Sequence, residues 1–210
     1  MLIDEQFVTV TCADPAFEMR KIEDAGRNCY DSHNKMTEDS YDKFIRTLIK
    51  RGHESPLEFG SMMVELYTSR AVLAEITRHR LSSFAVTSQR YIKEDAEKKL
   101  IKFIKPTWFD EADECDRSEW ITAMENAEES YGILLAHRGS AQEAREVLPN
   151  STACRIEMSA NLREWRHIFE MRCDKAAYPQ IRILMTDVLR KAYELFPPVF
   201  EDLYEKFIGE

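Results

Sequence analysis

Between Ile76 and Lys93 the chain carries Arg78, Arg80, Arg90 and Lys93 and no acidic residue. Arg78-His79-Arg80 is followed by hydroxyl side chains at Ser82, Ser83, Thr87 and Ser88. Guanidinium forks grip phosphate oxygens in pairs, and hydroxyls with loop amides complete such a site. The chemistry on offer is therefore recognition of a phosphorylated ligand. A solvated helix end would use the same cations, because positive side chains also suit a helix C-terminus. Composition alone leaves both readings open. A second set is Arg163, His167 and Arg172. The first two are four residues apart and share a face if the segment is helical. Arg172 follows Arg163 by about two and a half turns, so all three could meet one ligand cavity. No G-x-G-x-x-G and no P-loop occurs, so any bound dinucleotide is gripped without a Rossmann turn.

The rest of the chain makes these cations conspicuous. The 210 residues include 29 basic and 38 acidic side chains, a net charge of −9. That balance argues against a general nucleic-acid binder, whereas locally concentrated positive charge still holds a small anion. The length suits one domain over residues 1–210, burying about 70% of the surface of the open chain, enough for a core without metal or disulfide. With 44% hydrophobic and 32% charged residues, disordered and collagen-like classes are excluded. No apolar run approaches the ~20 residues of a membrane span. The opening MLIDEQFV lacks the basic start and apolar stretch of a secretory signal, so a cytoplasmic protein is expected. Cys12, Cys29, Cys115, Cys154 and Cys173 form no C-x-x-C pair and are expected as reduced thiols. No His/Cys/Asp cluster has metal-ligand spacing, so no metal is expected.

Few glycines and prolines interrupt the chain, so long elements with short joints must position these groups. Helices are expected over 15–28, 38–51 (capped by Thr37, stopped at Gly52), 70–80 (capped by Ser69), 110–138 (ended by Gly139), 161–173 (capped by Asn161), 179–195 and 198–208. Ser140 and Glu143 form a capping-box pattern for a short helix closed by Pro149. Strands are expected over 59–68 and 152–159, and residues 81–91 read as irregular. Trp120, Tyr131 and Leu134 recur at helical spacing as core positions, and Trp165, Ile168 and Phe169 lie on the side opposite Arg163 and His167. The fold class is α+β (α/β): a helix-rich single domain with a small central sheet.

The string RHRLSSFAVTSQRY fits RHR-x7-S, the signature of the flavin-dependent thymidylate synthases. RGHESPLEF (residues 51–59) resembles the same family's G-H-E-[ST]-P-x-E loop. AREVLP (144–149) and NLREWRHIFEMR (161–172) resemble its C-terminal segments, and AGRNCYDS (25–32) its N-terminal one. The blocks appear in family order and span most of the chain.

The resemblance implies reductive methylation of dUMP to dTMP, with 5,10-methylenetetrahydrofolate as carbon donor and NADPH as reductant through FAD. It also implies a homotetramer with sites between subunits. Residues matching flavin contacts are Cys29, His53, Ser55, Arg78, His79, Arg80, Leu81, Asn161, Arg163 and His167, with Glu58 ordering its loop. Those matching dUMP contacts are Glu75, Arg78, Val86, Thr87, Ser88, Gln89, Arg90, Arg145 and Arg172. Arg172 matches the arginine that polarises the uracil and is the expected catalytic residue. Ser88, in its arginine-rich setting, suits a phosphate donor rather than a nucleophile, and no cysteine falls inside a matched catalytic motif, so no covalent enzyme–uracil bond is expected. Two positions depart from the pattern: Glu75, where many members carry glutamine, and Val86, where many carry glutamate. The alternatives are an RNA uracil methyltransferase, which needs a basic face, and a nucleotide-binding module that keeps RHR-x7-S without turnover.

Overall fold

Asp14 opens the first long helix by accepting the Phe17 N–H at 2.9 Å, with Pro15 in the first turn, where its missing donor is harmless. In the computed structural model, residues 1–90 and 101–209 are described; Tyr91 and Lys93, at the end of the basic window, lie outside them. Chain order is β1 (Leu2–Asp4), β2 (Phe7–Thr11), α1 (Pro15–Cys29), α2 (Ser40–Lys50), β3 (Ser61–Ser69), α3 (Arg70–Ile76), β4 (Ser82–Val86), β5 (Lys102–Ile104), α4 (Glu114–Arg138), α5 (Ala141–Ala144), β6 (Ala153–Asn161), α6 (Leu162–Arg172), α7 (Pro179–Leu195) and α8 (Pro197–Phe207). Short 3-10 turns lie at Ser55–Phe59 and Arg145–Val147. A four-stranded sheet has the order β2-β3-β6-β4, and β1 pairs in parallel with β5, Ile3 opposite Phe103. The class is helix-rich α+β with a small sheet, as the sequence leads one to expect.

The departures are local and bear on the site. α3 stops at Ile76 rather than Arg80, with Thr77 as its C-cap, whose N–H and hydroxyl both donate to the Leu73 carbonyl, at 3.1 and 2.9 Å. Arg78-His79-Arg80 therefore lies in the turn after the helix. The stretch read as irregular contains β4. There the Thr87 N–H donates to the Arg155 carbonyl at 3.0 Å and the Arg155 N–H to Thr87 Oγ1 at 3.3 Å. Pairing with β6 overrides the weak strand preference of a serine-rich segment. α2 starts at Ser40, and α4 at Glu114 under an Asp113 cap. The capping box at Ser140 is not made; α5 is one turn without a side-chain cap. The short strands β1, β2 and β5 carry too few residues for a period-2 pattern to be read.

The described chain forms two compact units. The first comprises Met1–Phe7, Leu66–Arg78 and Ala85–Ile156. Its core gathers Ile101, Phe103, Met124, Tyr131 and Ala144, with Trp120 and Leu134 packed against them, which is where the helical spacing put those residues. The second comprises Val8–Glu65, His79–Phe84 and Glu157–Glu210. In it α6 packs on α7 and α8, and α2 on α1 and α8. Trp165 stacks on Phe169 at 5.7 Å between ring centres, Phe169 meets Phe200 edge-on at 5.4 Å, and the Trp165 indole N–H donates to the Met62 carbonyl at 3.2 Å. Gly60, just before β3, accepts the Leu162 N–H at 2.9 Å, and a Cβ there would stand 2.7 Å from the Ile22 side chain. This close approach ties the 3-10 turn to the start of α6.

Arg166, on α6, is 7% exposed. Its Nη1 and Nη2 each donate to Asp202 at 2.7 Å, Nη1 also to the Val199 carbonyl at 2.5 Å, and Nε to Glu54 at 3.2 Å. Burial of Asp202 opposes its ionisation, but the hydrogen bonds and charge of Arg166 outweigh that and hold the carboxyl below its ordinary value. A lowered folded value means this carboxylate stabilises the fold above the unfolded value near ~4, and that contribution is lost as pH falls through the lowered one. Arg166→Ala is expected to cost about 2–3 kcal/mol, less than a fully buried pair because Asp202 is half exposed. Urea denaturation at pH 7 checks this, and Asp202→Asn is expected to flatten the loss of stability below pH ~4.

Candidate active site

Asn161 caps α6 by accepting the Glu164 N–H at 2.8 Å. Leu162, Trp165, Ile168 and Phe169 are buried, and Arg163, His167 and Glu170 emerge on one exposed strip. The strip faces a cavity of about 650 Å³, lined also by Asn161, Leu81, Glu54 and Glu58. Arg163 Nη1 meets Glu58 Oε1 at 2.5 Å, both side chains about half exposed. Such a pair is worth at most about 1 kcal/mol, so an arriving diphosphate can take the guanidinium over with a stronger charge-assisted bond. Leu81, 73% exposed, offers an apolar surface to a ring. The exposed Arg163 guanidinium, the His167 imidazole and the Asn161 amide offer donors to an anionic dinucleotide and Leu81 an apolar contact, whereas the donors of Arg166 are taken by Asp202, Val199 and Glu54.

Arg172 does not line that cavity. Its Nε donates to His79 Nε2 at 3.0 Å, and His79 stands edge-on to His167 with ring centres 5.9 Å apart. On its other side His79 Nδ1 lies 3.5 Å from Glu164 Oε1. His79 is 5% exposed and Glu164 7%; burial pushes the Glu164 carboxyl upward against the lowering effect of nearby His167. His79, expected as a flavin contact, thus turns both ring nitrogens to protein partners. His53 Nδ1 lies 2.8 Å from the Tyr30 hydroxyl, and Cys29, His53, Ser55 and Arg80 are all exposed in the same unit.

The expected phosphate residues gather in the first unit. The Arg90 N–H donates to Ser88 Oγ at 3.3 Å, and Arg90 Nε to Gln142 Oε1 at 2.9 Å. Gln142 lines a hollow of about 480 Å³ with Arg145, Arg138 and Glu143. Arg138 Nε holds Glu143 at 2.6 Å, and that hydrogen bond keeps the Glu143 carboxyl below its ordinary value. Val86 ends β4, Thr87 follows it, and Gln89 stands beside Ser88. Glu75 lies in α3, whereas Arg78 is beyond the helix end, exposed and without an ion pair among the described residues.

Residues 16–198 match the family model described as thymidylate synthase complementing protein. A probable flavin-dependent thymidylate synthase of Mycobacterium phage D29 is 32% identical over 93% of this chain and 85% of that protein. The flavin-dependent thymidylate synthase of Corynebacterium diphtheriae is 33% identical over 90% and 80%. The chain belongs to the flavin-dependent thymidylate synthase family. Its fold matches a UMP/dUMP methylase of Streptomyces cacaoi, solved with 5-Br dUMP, at a TM-score of 0.79, with 23% identity over 99% of this chain and 98% of that one.

Within this family member, the sequence motifs point to half of the polar residues that line the cavity, Glu58, Asn161, Arg163 and His167, and miss the other half. Glu54, Glu164, Arg166 and Glu170 line it without being singled out, and Gln142 and Tyr30 hold expected site residues. Glu54 and Glu164 sit inside the matched strings, and a charge at a core-facing helical position such as 164 or 166 is a readable signal, because it must find partners. Among the described residues, no three His, Cys, Asp or Glu side chains gather to hold a metal.

Burial pushes the Cys173 thiol up to about 12 and Cys154 up to about 11, so neither supplies thiolate at neutral pH. Cys29 and Cys115 are exposed. Iodoacetamide at pH 8 is expected to label Cys29 and Cys115, leaving Cys154 and Cys173 untouched until unfolding. If Cys29 borders the flavin site, added FAD slows its labelling and not that of Cys115. Peptide mass spectrometry reads both; equal rates with and without FAD contradict the placement of Cys29.

Proposed function

We propose that this chain makes dTMP by reductive methylation of dUMP, taking the carbon from 5,10-methylenetetrahydrofolate and electrons from NADPH through FAD. The observation that carries this reading is the division of cations. Arg163 and His167 serve one cavity on α6, and Arg90 donates to Gln142, which lines another hollow together with Arg145. Two anionic ligands, a dinucleotide and a mononucleotide, call for such a pair of sites. FAD, when bound, supplies the redox and carrier chemistry. Arg163, with Asn161, His167, His53, Ser55, Cys29 and Leu81, would hold it, and Arg78, His79 and Arg80 complete its surroundings. Ser88, Arg90 and Arg145 would take the dUMP phosphate, with Glu75, Val86, Thr87 and Gln89 beside it. Arg172 would direct its guanidinium at the uracil, stabilising negative charge as the ring ionises at N3. That interaction strengthens in the transition state and so acts on turnover. No enzyme nucleophile takes part. Residues 1–210 act as one functional domain, in a cytoplasmic homotetramer whose sites draw on more than one subunit.

The test is conversion of dUMP by the purified protein with FAD, NADPH and methylenetetrahydrofolate. Arg172→Ala is expected to lower kcat roughly 100-fold while dUMP affinity changes less than about threefold. Arg90→Ala is expected to weaken dUMP binding roughly tenfold and to spare kcat at saturation. Unchanged dUMP affinity in Arg90→Ala contradicts the phosphate role. Binding of FAD and dUMP without product would mark a nucleotide-binding module instead, with Glu75 and Val86 as the departures that fit it.

A further inference from the structure

We propose that Glu164 and His79 are positioning residues for Arg172, a buried carboxylate–imidazole pair that fixes the plane in which its guanidinium is presented. The inference rests on the reading of Arg172 as the group that acts on the uracil. Arginine is always a donor, so the 3.0 Å contact from Arg172 Nε to His79 Nε2 requires an unprotonated Nε2. The imidazole is then neutral and carries its hydrogen on Nδ1. That hydrogen faces Glu164 Oε1 at 3.5 Å, at the outer limit of a hydrogen bond, where the carboxylate favours the proton on the nearer nitrogen mainly by its charge. A protonated imidazole, or the opposite tautomer, would set two donors against each other at Nε2.

The cost of the arrangement is visible. Glu164 and His79 are more than nine-tenths buried, in a place where an apolar pair would pack without desolvation. Burial pushes the Glu164 carboxyl upward, the mark of a charge held against its solvation preference. His79 comes from the turn after α3, while Glu164 and Arg172 stand eight residues apart on α6. The imidazole therefore braces the last turn of that helix from a separate segment. A hydrogen bond to Nε restricts the rotation that aims both terminal nitrogens of the arginine.

The experiment is nitrogen-15 NMR of histidine-labelled protein at neutral pH, where only five histidines contribute and His79 is assigned by loss of its signal in His79→Gln. The expected result is a neutral His79 with its proton on Nδ1. Glu164→Leu is expected to shift that tautomer balance and lower kcat roughly tenfold, with dUMP affinity within about twofold and flavin absorbance retained. Glu164→Gln, which keeps an acceptor oxygen but loses the charge, is expected to recover the turnover only in part. A wild-type His79 that is protonated, or carries its proton on Nε2, overturns the proposal whatever the activity, and so does an unchanged kcat in a folded Glu164→Leu. If instead the tautomer is as expected but Arg172→Ala turns over normally, the reading of Arg172 fails separately.

Discussion

A guanidinium taken out of water must satisfy its donors or unfold the structure around it. Arg166 does so by reaching three groups in two parts of the second unit at once: Asp202 and the Val199 carbonyl on α8, and Glu54 just before the Ser55–Phe59 turn. α6 is thereby fixed in rotation, and everything else in the candidate site follows from that. With Arg166 turned inward, Arg163 and His167 have to face outward. Glu58 is carried by the turn to within reach of Arg163, and His53 and Ser55 are held at the rim of the same unit.

The electrostatics of the site follow the same economy. Deep charges are multiply bonded and do not move, as with Arg166, while shallow ones are singly paired and exchangeable, as with Arg163 and Glu58. An acidic protein can hold anionic ligands this way because the acids that balance its exposed arginines are weak competitors for a phosphate. Arg90 Nε donates to the Gln142 amide oxygen, which orients the side chain.

Much of this was legible in the residues. The spacing of Arg163, His167, Trp165 and Phe169 gives both faces of α6, because a helix has a fixed period. Asn161 reads as a cap, and it accepts the Glu164 N–H. The end of α3 was not legible, since no glycine or proline marks a stop between Ile76 and Arg80. Nor was β4, whose strand character is supplied by β6 and not by Ser82-Ser83. The partners of Arg166 and His79 were hidden for another reason: they come from residues 36 and 85 positions away, and one sequence carries no record of such pairings. Arg172 was expected to share a cavity with Arg163; two and a half turns put it half a turn round the helix, where its Nε meets His79.

The central claim is that a flavin and dUMP serve one reaction on this chain. Its most direct test is the visible spectrum of the FAD-loaded protein under anaerobic conditions, recorded as NADPH is added with and without dUMP. The account predicts an oxidised-flavin spectrum that bleaches at a rate altered by dUMP. A protein that takes up no FAD, or whose flavin is reduced at the same rate whether or not saturating dUMP is present, would contradict it.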